Sequence, residues 1–293
     1  MSSLGFPLPV GTPTGPPPPP RTDFAGTTRG PVRLEPLGAG QTIDASIRLY
    51  RYKWKTLMAI TALLVVPFTL LQQFMVHVTT HPVLIGGRVY RDQPNVGVTS
   101  TFLFVSFLLV QPLLHASLIR AFSGIYLGQD VSARDSIRFA WSKFGWVVLE
   151  VFLASLLSTL GLIALIVGGV FIYIRLFFVV PAVIVEDQKG GSISRSWRLT
   201  KGRWWHTFGT SLLALILASI ASGILSIPSV LIAVGGTGGP FTWVAQAVSS
   251  SVATVIVTPF TVGVTVLLYF DARIRKEGFD LAVMAREVGA TTP

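Results

Sequence analysis

The stretch from Trp146 to Val185, WVVLEVFLASLLSTLGLIALIVGGVFIYIRLFFVVPAVIV, decides the fold. It runs for 40 residues with two ionisable side chains, Glu150 and Arg175. A helix that crosses a bilayer needs about 20 apolar residues, because each residue rises ~1.5 Å through a hydrocarbon core of ~30 Å. The stretch therefore holds two spans, and Gly168-Gly169 near its middle supplies the break for a tight hairpin. Upstream lie two more apolar runs, about 56–76 and 100–119, and downstream another two, about 207–234 and 244–270. Six spans follow. Pro67, Pro112, Pro181, Pro228 and Pro259 fall inside or at the ends of spans, where neighbouring helices can satisfy the freed carbonyls, so kinks are expected rather than breaks.

The whole chain agrees with that reading. Of its 293 residues 51% are hydrophobic and 12% charged, with a mean hydropathy of +0.65, which excludes a water-soluble domain. There is no cysteine, which excludes a disulfide scaffold, thiol catalysis and thiolate metal sites. The net charge of +10 on so apolar a background points to an anionic membrane surface rather than nucleic acid. Residues 1–40, with the unbroken run Pro16 to Pro20, read as a disordered Pro/Gly-rich tail. No signal peptide is expected, since no charged segment with a short apolar core precedes the first span. A six-span membrane domain over 41–282 and a short tail over 283–293 complete the organisation.

Lysine and arginine set the orientation. Seven precede the first span, four lie between spans two and three, five between four and five, and four follow the sixth. The other side carries only Arg88 and Arg91, and Arg175 lies within the membrane. Both termini are therefore expected in the cytoplasm, in a plasma (inner) membrane.

The basic segments that precede the odd-numbered spans repeat one another. Ser46-Ile47-Arg48-Leu49 aligns with Ser136-Ile137-Arg138-Phe139 and with Ser196-Trp197-Arg198-Leu199. Four residues on, Lys53-Trp54 aligns with Lys143-Phe144 and Arg203-Trp204. Ile43, Ile47, Tyr50 and Trp54 recur at helical spacing, as do Ile193, Trp197, Thr200 and Trp204. The expectation is three units, each an amphipathic helix in the interface followed by a membrane hairpin. Arg48, Arg51, Lys53, Trp54, Arg138, Lys143, Arg198, Lys201, Arg203 and Trp204 would anchor these helices to anionic head groups, the ordinary role of such residues beside a span.

Several segments carry a family resemblance. Pro181 to Glu186 (PAVIVE), Ser194 to Trp204 (SRSWRLTKGRW), Leu267 to Leu281 (LLYFDARIRKEGFDL) and Ile43 to Leu49 (IDASIRL) resemble actinobacterial membrane proteins known as the membrane domain of glycerophosphoryl diester phosphodiesterase. The resemblance covers about residues 37–282, and its motif residues here are Pro181, Glu186, Ser196, Asp271, Arg273, Arg275, Glu277 and Gly278, with Asp280 beyond them. In two-part members of that family the hydrolase is a separate soluble barrel using histidines and carboxylates on a divalent metal. This chain has no room for such a barrel and only four histidines, His77, His81, His115 and His206. The resemblance thus implies a membrane module without catalysis, metal or cofactor.

Other chemistries are not signalled. There is no Gly-x-Ser-x-Gly elbow, no His-Glu-x-x-His helix and no Walker loop, and the glycine-rich run from Gly235 to Gly239 lacks the lysine that a phosphate loop needs. Ionisable groups inside the membrane remain. Counting ~1.5 Å per residue from the basic ends, Glu150 lies ~6 Å deep and Arg175 ~16 Å, within reach of each other across the hairpin, with snorkelling of Arg175 as the rival. Gln111 and His115, one turn apart beside Pro112, are expected to make interhelical hydrogen bonds. Glu186 and Asp187 face the basic segment 189–203 as a local salt-bridged clamp. The function expected is a non-enzymatic scaffold or subunit of a membrane complex with an unidentified protein partner, the alternative being a transporter or lipid-handling protein. A transporter would line a water-filled cavity with Arg175, Glu150 and His115.

Overall fold

The computed structural model describes residues 35–79, 83–85, 88–90, 96–164, 166–187, 190–235 and 242–279. They form α1 (Ala39–Tyr52), α2 (Trp54–Thr79), a short hairpin of β1 (Val83–Ile85) and β2 (Arg88–Tyr90), α3 (Val96–Val105), α4 (Gln111–Tyr126), α5 (Ala133–Ser142) and α6 (Phe144–Ala164). The chain continues through α7 (Ile166–Arg175), α8 (Val179–Glu186), α9 (Ser192–Thr200), α10 (Trp204–Gly235) and α11 (Thr242–Glu277). The architecture is an all-α polytopic membrane protein. Six spans are long and apolar enough to cross a membrane: Trp54–Thr79, Val96–Tyr126, Phe144–Ile163, Ile166–Glu186, Trp204–Ile232 and Trp243–Glu277. In the connection between spans one and two, β1 and β2 pair antiparallel with Leu84 opposite Val89, an element that the hydropathy pattern does not announce.

A short helix, a break and a long apolar helix follow one another three times. The breaks fall at Lys53, at Lys143 and at 201–203, where Gly202 takes the left-handed region at φ 79°. The starts of these helices are held locally. The Gln41 side chain accepts from Gly38 N at 2.7 Å, and Ser132 Oγ accepts from Asp135 N at 3.1 Å as the N-cap of α5.

Each of the three short helices turns one face to the bundle and leaves the other exposed. Each turns back along the even-numbered span that borders it and packs its small and hydroxyl residues there. Along α1, Leu37 N meets Asp271 Oδ1 at 2.9 Å and Ser46 Oγ meets the Phe260 carbonyl at 3.1 Å, so α1 runs antiparallel to the end of α11. The Arg120 guanidinium sits 4.7 Å from the Phe139 ring, placing α5 against the end of α4. Along α9, Arg195 reaches Glu186 and Ser196 reaches Phe178, placing α9 against α8. Thr42, Ala45, Ser46 and Leu49 are buried on α1, and Ser192, Ser196, Leu199 and Thr200 on α9, whereas Ile47, Trp54, Trp141 and Trp197 are exposed. An interfacial stripe of Ile47 and Trp54 is therefore not the packing face. Close approach of two backbones favours serine and threonine, whose hydroxyls can bond the carbonyls they meet.

Two glycine and proline expectations also change. Gly168 and Gly169 lie within α7, not at a turn, and a Cβ on Gly169 would come within 2.8 Å of the Leu162 backbone. Their role is close helix packing, not a break. Pro67, Pro228 and Pro259 sit inside continuous helices as expected. By contrast Pro112 opens α4 directly after a π-helical turn at Ser106–Val110, and span four breaks at 176–178 shortly before Pro181.

The helix α11 forms the centre of the bundle, with 61% of its most apolar window buried against 17% for spans one and three and 11% for span five. The largest fully buried side chains, among them Tyr126, Tyr269, Phe122, Phe178, Phe270 and Leu49, all lie toward the basic ends of their helices. Toward the other end α2 buries nothing beyond Val65 and α3 buries nothing.

Candidate functional site

The basic end gathers a set of arginine and carboxylate side chains that are far apart in the sequence. Glu186 ends α8 and is held by Arg195 of α9, with Nε to Oε2 at 2.8 Å and Nη2 to Oε1 at 2.7 Å. Arg195 also donates from Nη2 to Glu277 Oε2 of α11 at 2.7 Å. The Tyr269 hydroxyl donates to Glu186, and Arg273 Nε lies 3.5 Å from Glu186 and 3.3 Å from Glu277. Two carboxylates and two guanidiniums so bind α8, α9 and α11 together. On another face of α11, Asp271 accepts from Arg203 Nη2 at 2.9 Å, from Arg275 Nε at 2.8 Å and from Leu37 N at 2.9 Å, while Arg275 also donates to the Leu37 carbonyl at 3.2 Å. That second knot ties the chain before α1 and the start of α10 to the same helix.

Burial gives these pairs their weight. Asp271 is 1% exposed at its side chain and Glu186 14%, so each needs its partners once taken from water. The hydrogen bonds to Glu277 and Glu186 hold the Arg195 guanidinium above its ordinary value, so it stays charged. Burial pulls Arg203 down from its ordinary value, and Asp271 opposes that pull. Arginine does not give up its proton near neutral pH, so both carboxylates keep cationic partners. Gly278 closes α11 at φ 59° with its N–H on the Ile274 carbonyl at 3.0 Å, and Arg273 lies 4.2 Å from the Phe279 ring.

The residues that carried the family resemblance therefore converge. Glu186, Asp271, Arg273, Arg275 and Glu277 are all in these two knots. Ser196 bridges the break in span four, accepting from Phe178 N at 3.0 Å and donating to the Arg175 carbonyl at 2.7 Å, three residues ahead of Pro181. The clamp expected from Glu186 and Asp187 is wider than local: Glu186 reaches α11, and Asp187 pairs with Lys143. Arg195, Tyr269 and the backbone of Leu37 were not foreseen. The i, i+4 series Tyr269, Arg273, Glu277 and the pair Asp271, Arg275 were the available signals for two polar faces on α11.

Glu150 and Arg175 do not pair. Glu150 is buried with Oε2 lacking a hydrogen-bond partner, and Arg175 lies over the Phe171 and Trp197 rings at 5.0 and 5.2 Å. Span four is not one continuous helix: α7 ends at Arg175 beside α9, so Arg175 does not sit at mid-helix facing Glu150. His115 Nδ1 bonds the Gln111 carbonyl one turn back on its own helix at 2.8 Å, not a neighbouring helix. Among the expected head-group anchors, Arg48, Lys53, Lys143 and Arg203 have carboxylate partners in Asp44, Asp130, Asp187 and Asp271. Arg51, Arg138, Arg198 and Lys201 have no ion pair among the described residues. Trp204 stacks on Phe171 and Phe208 and donates from Nε1 to the Phe171 carbonyl at 3.2 Å, while Trp54 is exposed. His77 stacks on Trp243, His81 lies outside the described residues, and no group of three His, Asp or Glu among the described residues is placed to hold a metal.

The comparisons with known proteins come to one match. A family model described as a domain of unknown function, DUF7847, covers residues 105–272, more than half of the chain, with no link to glycerophosphoryl diester phosphodiesterase. No curated protein and no solved structure matches the chain.

Proposed function

The chain belongs to the DUF7847 family, whose description assigns no activity, and from that premise we propose a non-enzymatic scaffold or subunit of a plasma-membrane complex. Its carrying observation is the pair of arginine and carboxylate knots, which fix the ends of α8, α9, α10 and α11 to one another and to the chain before α1. A platform built this way holds its spans in register while their outer apolar faces remain open to lipid or to partner helices. Leu160, Ile163, Val167, Leu215 and Ile220 are exposed on such faces. Both termini and the knots face the cytoplasm in this reading, because the basic segments cluster at that end. The three units, each a short helix leading into two spans, are read as internal repeats on the strength of the aligned Ser, Arg and Lys/Arg columns. The alternative, a transporter or lipid-handling protein, would line a water-filled cavity with Glu150, Arg175 and His115, and liposome transport by variants at these residues tests it.

The test is purification of the tagged chain from its native membrane in mild detergent, with quantitative mass spectrometry of what co-elutes. A protein partner at fixed stoichiometry is the expected result. A lone, monodisperse chain under several mild detergents contradicts the scaffold reading.

A further inference from the structure

Beyond the scaffold role, and independently of it, we propose that the end of α9 nearest α7 and α10 is a binding site for the phosphate of an anionic phospholipid. On the side of α9 that faces α8 and α11, every arginine is matched: Arg195 and Arg273 by Glu186 and Glu277, Arg203 and Arg275 by Asp271. At its C-terminal end the balance is lost. Arg175, Lys201 and Lys276 make no ion pair with a carboxylate among the described residues, and Lys276 lies within electrostatic range of Arg175, Lys201 and Arg203 as well as of Glu277, which Arg195 and Arg273 already engage.

Lys276 Nζ already binds the Arg198 and Lys201 carbonyls at the end of α9. Arg175 and Lys201 are then the cations that the singly charged phosphodiester of an anionic lipid would complement. Arg175 is also incompletely bonded. Its Nε is buried without a hydrogen-bond partner, and its Nη1 has a long 3.5 Å contact to the Trp197 carbonyl. Its guanidinium is held in place by Phe171 and Trp197 instead of by an anion, so its donors are oriented before any ligand arrives.

The surroundings select a lipid over a soluble phosphate. Trp197, exposed beside Arg175, and Trp205, exposed beside Trp204, are rings of the kind that gather at the membrane–water boundary. The helices α7 and α10 meet where Trp204 stacks on Phe171. Farther from the basic end, Val167 and Val170 on α7 and Leu212 and Ile216 on α10 are exposed, an apolar border for acyl chains whose head group reaches the cations.

Native mass spectrometry of the full chain released from mild detergent tests this. Phosphatidylglycerol and phosphatidylcholine with identical acyl chains are titrated against the parent and the variants Arg175→Gln, Lys201→Gln and Arg134→Gln, the last an exposed arginine on α5. Phosphatidylglycerol is expected to bind in preference to phosphatidylcholine and to lose about fivefold in affinity for each of Arg175 and Lys201 removed, with Arg134→Gln unchanged. Lys201 is exposed just past the end of α9, so its variant keeps the test open if Arg175→Gln fails to fold. Equal binding of the two lipids, or equal losses in Lys201→Gln and Arg134→Gln, overturns the proposal. So does displacement of phosphatidylglycerol by equimolar inorganic phosphate, which would assign the cations to a soluble anion.

Discussion

Phe270 and Ile163 are both large apolar side chains on spans of one bundle, yet Phe270 is fully buried and Ile163 is 78% exposed. The contrast holds for the two ends of the molecule as a whole. At the basic end, each even-numbered span is backed by a short helix and, on α8 and α11, tied by arginines to carboxylates. At the other end no short helix covers the spans, which meet one another directly, as α6 and α7 do through Gly161 and Gly169 and α2 and α11 through Phe74 and Trp243. The short helices explain the difference. They cover the basic end, whereas a leucine facing lipid is as well placed as a leucine against leucine, so nothing drives the uncovered faces of the spans to bury themselves.

The largest expected effect breaks the packed end directly. Phe270→Ala should lower stability by about 4 kcal/mol, since it empties a fully buried site, whereas Ile163→Ala should change it by less than about 0.5 kcal/mol. Thermal unfolding in one detergent compares the two, and equal losses would erase the distinction between the ends. Next comes Arg195→Gln, which leaves Glu186 and Glu277 short of their shared cation. A loss of about 3 kcal/mol is expected by the same assay.

Gly263 sharpens the comparison further. A Cβ there would come within 2.5 Å of Ser46 Oγ and 2.9 Å of the Phe122 ring, whereas a Cβ on Gly223 meets nothing within 4 Å. Gly263→Ala should cost about 1–3 kcal/mol, and Gly223→Ala should be neutral or stabilising. The smallest effect is expected at the exposed pair Lys53–Asp130, 3.0 Å apart. The hydrogen bond from Lys53 holds the Asp130 carboxyl below its ordinary value. Its contribution is therefore complete above the ordinary carboxylate range and is lost as pH falls through the lowered value. Asp130→Asn should leave the melting temperature at pH 7 within error of the parent and flatten only the acid limb of a pH series.

The six spans were legible because hydropathy over 20 residues needs no knowledge of neighbours. The packing face of α1 and α9 was not. Periodicity picks out Ile47, Trp54 and Trp197, but the buried stripe is made of Thr42, Ala45, Ser46, Ser196 and Thr200, which no hydrophobic pattern marks. The motif residues Glu186, Asp271, Arg273, Arg275 and Glu277 were visible as a group. Their partners were hidden, because Arg195–Glu277 and Leu37–Asp271 join positions 82 and 234 residues apart. The supposed Glu150–Arg175 pair failed for a local reason: the break at 176–178 makes Arg175 a helix end that stacks on aromatic rings.

The central claim is that one face of each short helix packs back along an even-numbered span. Because the chain has no cysteine, a single engineered pair can test it in the native membrane. The double variant Ser46→Cys with Gly263→Cys, treated with a mild oxidant, should form an intramolecular disulfide detectable by mass spectrometry, while Ile47→Cys with Gly263→Cys should not. The reverse pattern, or no disulfide in either, would place α1 away from α11 and contradict the account.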